Sequence, residues 1–540
     1  MGRLAGQDEV ARPRHAVAVG PASKMGRSAG QDAVAPDRRD PVRGMARGGG
    51  LNVAGAIVSQ ASFFLITLLI ARHLGRTAVG LYSQGFAFLA ILELVSLSGF
   101  RAGLTRFVAV HRVDKDQGAL RGTLRIGLGA SILGAVAFGV ALYLVAPLLA
   151  VHVFRTALLT APLRFVSVVL LFQTLTDAAL AATQGWMTMR PYCLIGMMYE
   201  PVTRLALTVG GLAIGLGLKG ALWALVVSNS TAAVFSLIAL RRLTGRIRER
   251  ASYRTRQIFS FSMVSWLASF ASTGLIWADT ILLGIYESSR AVGVYQVATR
   301  VVLLASFSMA PINAAFSPRI AKLYHGGDTE GLRRAYVAAT GWILRLSLPA
   351  LVVCVVLPHQ LLHLFGRSFE AGAAVTIILA VGELMDSATG PCGLMLNMSG
   401  RPVYSLIDNV LVLGLNVGLN IVLIPRYGII GAAWAWAIAL WVVNILRVWQ
   451  VQRTLRMVPF EVSELKALAA VAIAGGIGVA VREVTGGLAA LAALVVGGAV
   501  MVAIYLGVVV LLGMSDDDRV MLGLAQGRHR HARRGRGAQG

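Results

Sequence analysis

The residues most able to do chemistry in this sequence are polar and ionisable side chains placed inside long apolar segments. Burying a charge in hydrocarbon is costly, so such a group usually lines a polar cavity or pairs with a neighbour. Glu200, Arg204 and Thr208 are spaced four residues apart and share one face of a helix. The other ionisable candidates are Glu93, Asp177, Asp279, Arg300, Arg345, Glu383, Asp386 and Asp408.

A second polar stripe lies in the later part of the chain. Asn409, Asn416 and Asn420 share a helix face by the same spacing rule. Two polar stripes that face one chamber suit a polar substrate, and we predict that Glu200, Arg204, Asn416 and Asn420 bind it. The alternative is that Glu200 and Arg204 neutralise each other along their helix, while the asparagines bond between helices.

Asp279 and Arg300 complete the set of predicted substrate-binding residues. Asp279 lies near the end of one apolar segment, and Arg300 lies a few turns into the next, which runs back. The two charges can pair across this hairpin, as a structural link or as part of a cavity lining. A cavity arginine suits a phosphate or diphosphate, because its planar fork stays charged and gives bidentate hydrogen bonds. We therefore predict that Arg204→Ala and Arg300→Ala each lower transport without loss of folded protein.

The elements that position these residues are predicted transmembrane helices. The chain has 540 residues, of which 56% are hydrophobic and 14% charged, and a mean hydropathy of +0.71. A soluble protein of this length needs more charge to cover its surface, and about 20 apolar residues cross a bilayer. Fourteen apolar segments occur between residues 51 and 513. The predicted fold is all-α, with about fourteen transmembrane helices.

Lys and Arg residues distinguish the two faces of this predicted bundle. Of the 50 basic residues, 38 fall on the face that carries both termini and nine on the opposite face. This asymmetry marks the cytoplasmic side, so both termini of this multi-pass cell-membrane protein are predicted to be cytoplasmic. It also accounts for the net charge of +25 without nucleic acid. The three cysteines are scattered, and no metal ion or cofactor is predicted.

The sequence contains an internal repeat. Residues 78–82 (AVGLY) recur as residues 291–295 (AVGVY) at an offset of 213, and residues 220–224 (GALWA) recur as residues 431–435 (GAAWA) at an offset of 211. The offset spans six predicted helices, so both copies have the same orientation in the membrane. This pattern predicts two parallel, pseudo-symmetric six-helix lobes with a substrate site between them near the midplane.

The predicted domain organisation follows from the repeat. A disordered basic cytoplasmic tail is followed by two six-helix lobes, a C-terminal helix pair and a second basic cytoplasmic tail. These five parts are residues 1–50, 51–246, 257–456, 465–513 and 514–540.

Several motifs resemble those of lipid-linked oligosaccharide flippases, the Wzx-type polysaccharide exporters of the MOP superfamily. The ordered series covers about residues 51 to 460. It includes residues 71–75 (ARHLG), 78–82 (AVGLY), 279–284 (DTILLG), 400–402 (GRP) and 424–433 (IPRYGIIGAA).

This resemblance implies a transporter rather than an enzyme. Its members move a polyprenyl-diphosphate-linked oligosaccharide from the inner to the outer leaflet of the cytoplasmic membrane by alternating access, for cell-surface polysaccharide biosynthesis. The implied partners are this substrate, membrane lipids, and polysaccharide polymerases or glycosyltransferases. Two alternatives stay open: an ion-coupled multidrug exporter of the MATE type and a lipid II flippase for peptidoglycan. The lipid II alternative is weakened because the first helix has no charge between Asn52 and Ile70.

Overall fold

The structure is a computed structural model of the chain. It describes residues 40–245, 249–459, 462–484 and 489–511. The chain divides into the units Met1–Met45 and Ala46–Gly540. The N-terminal tail prediction falls mainly on residues outside the described part, and the C-terminal tail prediction falls entirely outside it.

The first lobe is a bundle of long apolar helices. Their bounds are α1 Asp40–Leu97, α2 Phe100–Val113, α3 Gln117–Leu148, α4 Thr160–Gln184, α5 Glu200–Ala213 and α6 Gly217–Thr244. A π-helical turn at Leu149–Val153 follows α3, and another at Tyr192–Tyr199 leads directly into α5.

The second lobe begins with a helical hairpin and ends with a long broken helix. The bounds are α7 Thr255–Tyr286, α8 Ser289–Ala305, α9 Met309–His325, α10 Thr329–Val356, α11 Pro358–His363, α12 Ala373–Thr389, α13 Cys392–Met398 and α14 Pro402–Leu455. The chain bends by 45° between α8 and α9.

The C-terminal helices α15 (Val462–Val484) and α16 (Ala490–Leu511) pack against α10. Small side chains at Ala467 and Ala470 lie on Leu344 and Leu348, which allows close helix approach.

The described residues form an all-helical fold with no strand, as predicted. Nine of their helices are long and apolar enough to cross a membrane, or ten if α8 and α9 form one bent span. Two of these helices, α1 and α14, are 58 and 54 residues long and are broken at Gly75 (φ 78°) and Gly428 (φ 58°). Glycine adopts this backbone conformation without the strain of a Cβ. The number fourteen stays a prediction.

The internal repeat is visible in the backbone. Gly217 (φ 57°) is the first residue of α6, just after the break from α5, and its equivalent at an offset of 211, Gly428 (φ 58°), breaks α14. Three residues later, Gly220 and Gly431 each approach the backbone of the preceding helical segment closely. Each lobe therefore reverses at the same point of the repeat with the same local geometry.

The two copies of the repeated AVG motif pack directly against each other. A Cβ on Gly80 would overlap the carbonyl oxygen of Ser289, and a Cβ on Gly293 would overlap the carbonyl oxygen of Arg76. The Ser289 hydroxyl also donates to Oε1 of Gln84 at 3.1 Å. Helices α1 and α8 thus join the lobes backbone to backbone at this end of the bundle.

A second contact joins the lobes through α2 and α7. A Cβ on Gly99 would overlap the carbonyl oxygen of Ser262. The rings of Phe100 and Phe259 meet edge to face at 5.5 Å, and the Arg106 guanidinium lies 4.3 Å from the Phe261 ring centre. The polar residues in the middle of the lobes lie between these two contacts.

Candidate functional site

The polar stripe of α5 is anchored to α6. Nε of Arg204 lies 3.6 Å from Oε1 of Glu200, one helical turn away. The same oxygen accepts hydrogen bonds from Ser228 at 3.0 Å and Asn229 at 3.3 Å. Arg204 is therefore neutralised along its own helix, which is the alternative that the spacing left open.

Two arginines from different lobes meet at one aromatic ring. The guanidinium carbons of Arg204 and Arg300 lie 5.6 Å and 3.9 Å from the centre of the Phe63 ring. Arg204 is also 5.6 Å from Phe86, and Arg300 is 5.7 Å from Trp277. These five residues form the arginine–aromatic cluster. Its ring faces stabilise the cations by cation–π attraction while leaving their hydrogen-bond donors free.

Arg300 carries the unbalanced charge of this cluster. It makes no ion pair among the described residues, whereas Arg204 is paired with Glu200. Arg300 lies eleven residues into α8, roughly 16 Å along the helix axis. That depth is about half the thickness of a bilayer core. An uncompensated cation at this depth is costly, which makes Arg300 a candidate functional position.

Other buried polar atoms lie beside this charge. The Tyr82 hydroxyl interacts with the Arg204 guanidinium, whose Nε lies 3.6 Å from Oε1 of Glu200. The N-lobe side of the cluster is therefore a polar surface in which the arginine, the tyrosine and the carboxylate contact one another.

The second lobe has its own buried polar centre. The carboxylate of Asp279 accepts hydrogen bonds from the Tyr295 hydroxyl at 2.8 Å and from Nδ2 of Asn420 at 2.7 Å. The same Asn420 amide donates to Oδ1 of Asn416 at 3.1 Å. All four side chains are buried. The two asparagines therefore hold the carboxylate.

Asp279 and Arg300 do not pair across the α7–α8 hairpin. Asp279 lies seven residues before the end of α7, and Tyr295 lies six residues after the start of α8. These two residues are at nearly the same level, roughly 10 Å from the turn, whereas Arg300 is about 6 Å deeper. The tyrosine hydroxyl therefore takes the position beside the carboxylate.

A cavity of about 240 Å³ lies between α7, α8, α12 and α14. Its polar lining consists of Asp279, Tyr295, Gln296, Thr299, Arg300 and Glu383, and its aromatic lining includes Trp277 and Trp436. Of the six predicted substrate-binding residues, the structure places Asp279 and Arg300 on this cavity. Glu200 and Arg204 lie across the cluster, and Asn416 and Asn420 lie behind Asp279.

The aromatic residues of the site could not be predicted from the sequence. Phe63, Phe86, Trp277 and Trp436 lie in apolar segments, where an aromatic residue looks like ordinary core or lipid-facing surface. One signal was present, since Tyr82 and Tyr295 are equivalent in the repeat and both contact a polar centre. Within the described residues, no group of three His, Cys, Asp or Glu side chains is placed to hold a metal ion.

Comparison with known protein families gives two overlapping matches. Residues 45–324 match the family described as polysaccharide biosynthesis protein, and residues 265–422 match the MatE family.

Two proteins of the archaeon Haloferax volcanii are similar to this chain. A probable flippase, AglR, is 28% identical over 205 residues, which is 37% of this chain and 43% of that protein. A probable low-salt glycan biosynthesis flippase, Agl15, is 23% identical over 228 residues, which is 40% of this chain and 48% of that protein. The chain thus spans somewhat less than half the length of these relatives.

Solved structures share the fold at low sequence identity. The lipid II flippase MurJ in an inward closed conformation superposes with a TM-score of 0.69 at 14% identity, covering 85% of this chain and 98% of MurJ. An inward-facing multidrug resistance MATE family transporter of the MOP superfamily gives a TM-score of 0.60 at 16% identity, covering 76% and 98%. The two-lobe helical architecture is that of these proteins.

Proposed function

This chain belongs to the polysaccharide biosynthesis protein family, and from that premise we propose that it flips a polyprenyl-diphosphate-linked oligosaccharide across the cytoplasmic membrane. The movement is from the inner to the outer leaflet and serves cell-surface polysaccharide synthesis. The names of the two relatives, both probable flippases and one for glycan biosynthesis, support this substrate class.

The observation that carries the proposal is the unpaired Arg300 at the boundary of the lobes. A diphosphate presents several anionic oxygens to a planar guanidinium, which binds them in a bidentate manner. The aromatic faces of Phe63 and Trp277 hold the guanidinium without using its donors. Arg204 and Tyr82 add polar atoms on the opposite wall.

We propose that the two lobes, residues 51–246 and 257–456, rock about this site. The contact of Gly80 with Ser289 closes one end, and the contact of Gly99 with Ser262 closes the other. Opening one contact at a time exposes Arg300 to each membrane face in turn, while the polyprenyl chain stays in the bilayer. We propose that both termini lie on the cytoplasmic side, where glycosyltransferases would supply the glycan, and that polymerases would consume it on the opposite side.

The test is transport by the full chain in proteoliposomes. The vesicles contain a fluorescent polyprenyl-diphosphate oligosaccharide, and a membrane-impermeant quencher reports how fast it changes leaflet. Arg300→Gln is expected to lower the initial rate at least tenfold, since a hydrogen bond to a charged group contributes about 1.5–3 kcal/mol. Arg290→Gln, an exposed position on the same helix, is the matched control and should keep the wild-type rate.

Two results would contradict the proposal. One is a wild-type rate no higher than that of empty vesicles. The other is an unchanged rate in Arg300→Gln when the variant elutes as folded protein.

A second candidate function is export of organic cations. The MatE match over residues 265–422 and the two carboxylates on the cavity, Asp279 and Glu383, favour it. It predicts ethidium efflux from cells that express the chain, with loss of efflux in Asp279→Asn. Flipping of the lipid-linked glycan without ethidium efflux would reject this candidate.

A further inference from the structure

The cavity beside Arg300 has one aromatic side and one polar side. Trp277 and Trp436 contribute aromatic rings, and Gln296, Thr299 and Glu383 contribute polar atoms. We propose that this cavity binds one uncharged sugar ring of the substrate, the ring attached directly to the diphosphate. This inference rests on the proposed function and specifies which part of the substrate each lobe holds.

The aromatic wall is closely packed on a glycine. Gly382 of α12 lies beside Trp436, where a Cβ would come within 2.9 Å of the indole ring. The absence of that Cβ lets the ring lie close to the helix. One face of a pyranose ring carries only C–H groups, which are weakly positive, and an aromatic face is weakly negative. Such a surface therefore suits a sugar ring.

The polar wall offers mainly acceptors. The Thr299 hydroxyl donates to the Tyr295 carbonyl at 2.9 Å, which leaves its lone pairs for other donors. Nε2 of Gln296 donates to Thr280, which leaves the amide oxygen as an acceptor. Glu383 adds a carboxyl group, whose oxygens can accept hydrogen bonds. Sugar hydroxyls are donors, so this wall complements them.

The alternative occupant is a lipid chain. Most of the lining is apolar, but a hydrocarbon chain would bury Arg300 and Glu383 against groups that cannot bond to them, at a cost of several kcal/mol. The cavity of about 240 Å³ is also smaller than the ~300–1,000 Å³ typical of pockets for drug-sized ligands. It suits a single ring better than a chain or an oligosaccharide.

The position of Arg300 decides which ring is held. Its guanidinium lines the cavity and also lies 3.9 Å from Phe63 of the first lobe. A diphosphate bound there lies at the mouth of the cavity, so the sugar bonded to that diphosphate is the one that enters. The carboxylate of Asp279 disfavours an acidic sugar by like-charge repulsion, which favours a neutral hexose or N-acetylhexosamine.

Binding to the full chain in lipid nanodiscs tests this inference. The three probes are a polyprenyl diphosphate, the same lipid carrying one N-acetylglucosamine, and the same lipid carrying one glucuronic acid. The wild type is expected to bind the N-acetylglucosamine lipid at least tenfold more tightly than either other probe. Thr299→Val and Trp436→Leu should each remove most of that difference and leave binding of the bare diphosphate lipid unchanged.

Trp434→Leu is the matched control. Trp434 lies two residues before Trp436 on α14, is 42% exposed and does not line the cavity. It should keep the wild-type preference. Thr299→Val preserves side-chain shape, so it tests the polar wall even where loss of a tryptophan impairs folding.

The possible failures are distinguishable. Equal binding of the bare and N-acetylglucosamine lipids by the wild type overturns the sugar subsite and leaves the proposed function standing. So does a Thr299→Val protein that weakens both lipids equally. Binding of none of the three lipids overturns the proposed function and this inference together. Equal binding of the glucuronic acid and N-acetylglucosamine lipids overturns the preference for an uncharged ring.

Discussion

The two lobes share a repeat but have opposite polar centres. In the first lobe Tyr82 lies beside Arg204, and in the second its equivalent Tyr295 donates to Asp279. At the offset of 213, the positions that match Asp279 and Arg300 are Ile66 and Ala87, both buried and apolar. The duplicated scaffold thus kept its tyrosine and backbone crossings while its charges diverged. The α1–α8 contact therefore follows the symmetry of the repeat, whereas the charged residues of the candidate site do not.

The largest expected difference between the lobes concerns stability. Arg204→Met leaves Glu200 unpaired in an apolar segment, where breaking a buried ion pair costs about 3–5 kcal/mol. We expect a marked fall in Tm in detergent, measured by intrinsic fluorescence. This revises the prediction from sequence that Arg204→Ala lowers transport without loss of folded protein. Arg300→Met removes no ion pair and should keep the wild-type Tm.

The double variant Glu200→Gln with Arg204→Met serves as the control for that experiment. It removes both charges and should recover most of the lost Tm. A double variant as unstable as Arg204→Met alone would show that the ion pair is not the cause.

The next prediction concerns the contact that the two lobes share, between α1 and α8. Gly80→Ala and Gly293→Ala each place a Cβ against a carbonyl oxygen of the other lobe. Overpacking of this kind costs about 1–3 kcal/mol, so both variants should open the α1–α8 contact to a similar extent. Labelling of a cysteine introduced at Gln84 reports the opening. Gly210→Ala, which has open space around it, is the control, and unequal labelling of the two variants would contradict the symmetry.

A smaller effect separates the equivalent tyrosines. Tyr295→Phe leaves the buried carboxylate of Asp279 without its 2.8 Å hydrogen bond, at a cost of about 1–2 kcal/mol. Tyr82→Phe removes a hydroxyl that lies beside the Arg204 guanidinium and holds no carboxylate, so it should change Tm less. Thermal unfolding of the pair measures the contrast. Equal losses in Tm would mean that the two centres are more alike than their contacts suggest.

The smallest effect is a pH dependence at the α2–α7 contact. Burial, reinforced by Arg254, lowers the pKa of His111, while Asp116 and Asp114 act in the opposite direction. The unfolded chain therefore binds this proton more readily, and stability falls as the pH drops below about 6.5. His111→Phe should reduce the fall in Tm between pH 7.5 and 5.5. The exposed His325→Gln should not, and equal pH dependence of all three proteins would reject His111 as the source.

The sequence predicted the lobes and the span charges because both depend on local or periodic information. The repeat predicted equal orientation, and the structure adds the matched breaks at Gly217 and Gly428. To predict the partner of Asp279, one must know how deep each residue lies in the hairpin. That depth depends on where α7 ends and α8 begins, which the sequence does not define. The arginine–aromatic cluster could not be predicted, because Phe63 meets Arg300 only through packing between elements far apart in the chain.

The bend between α8 and α9 has a mechanical consequence. Arg300 lies five residues before the end of α8, roughly 8 Å from the joint. Points near a pivot travel least when the arms on either side swing. In the proposed rocking motion, a pivot at this bend would keep the guanidinium nearly stationary and in contact with a bound anion while each end of the bundle opens in turn.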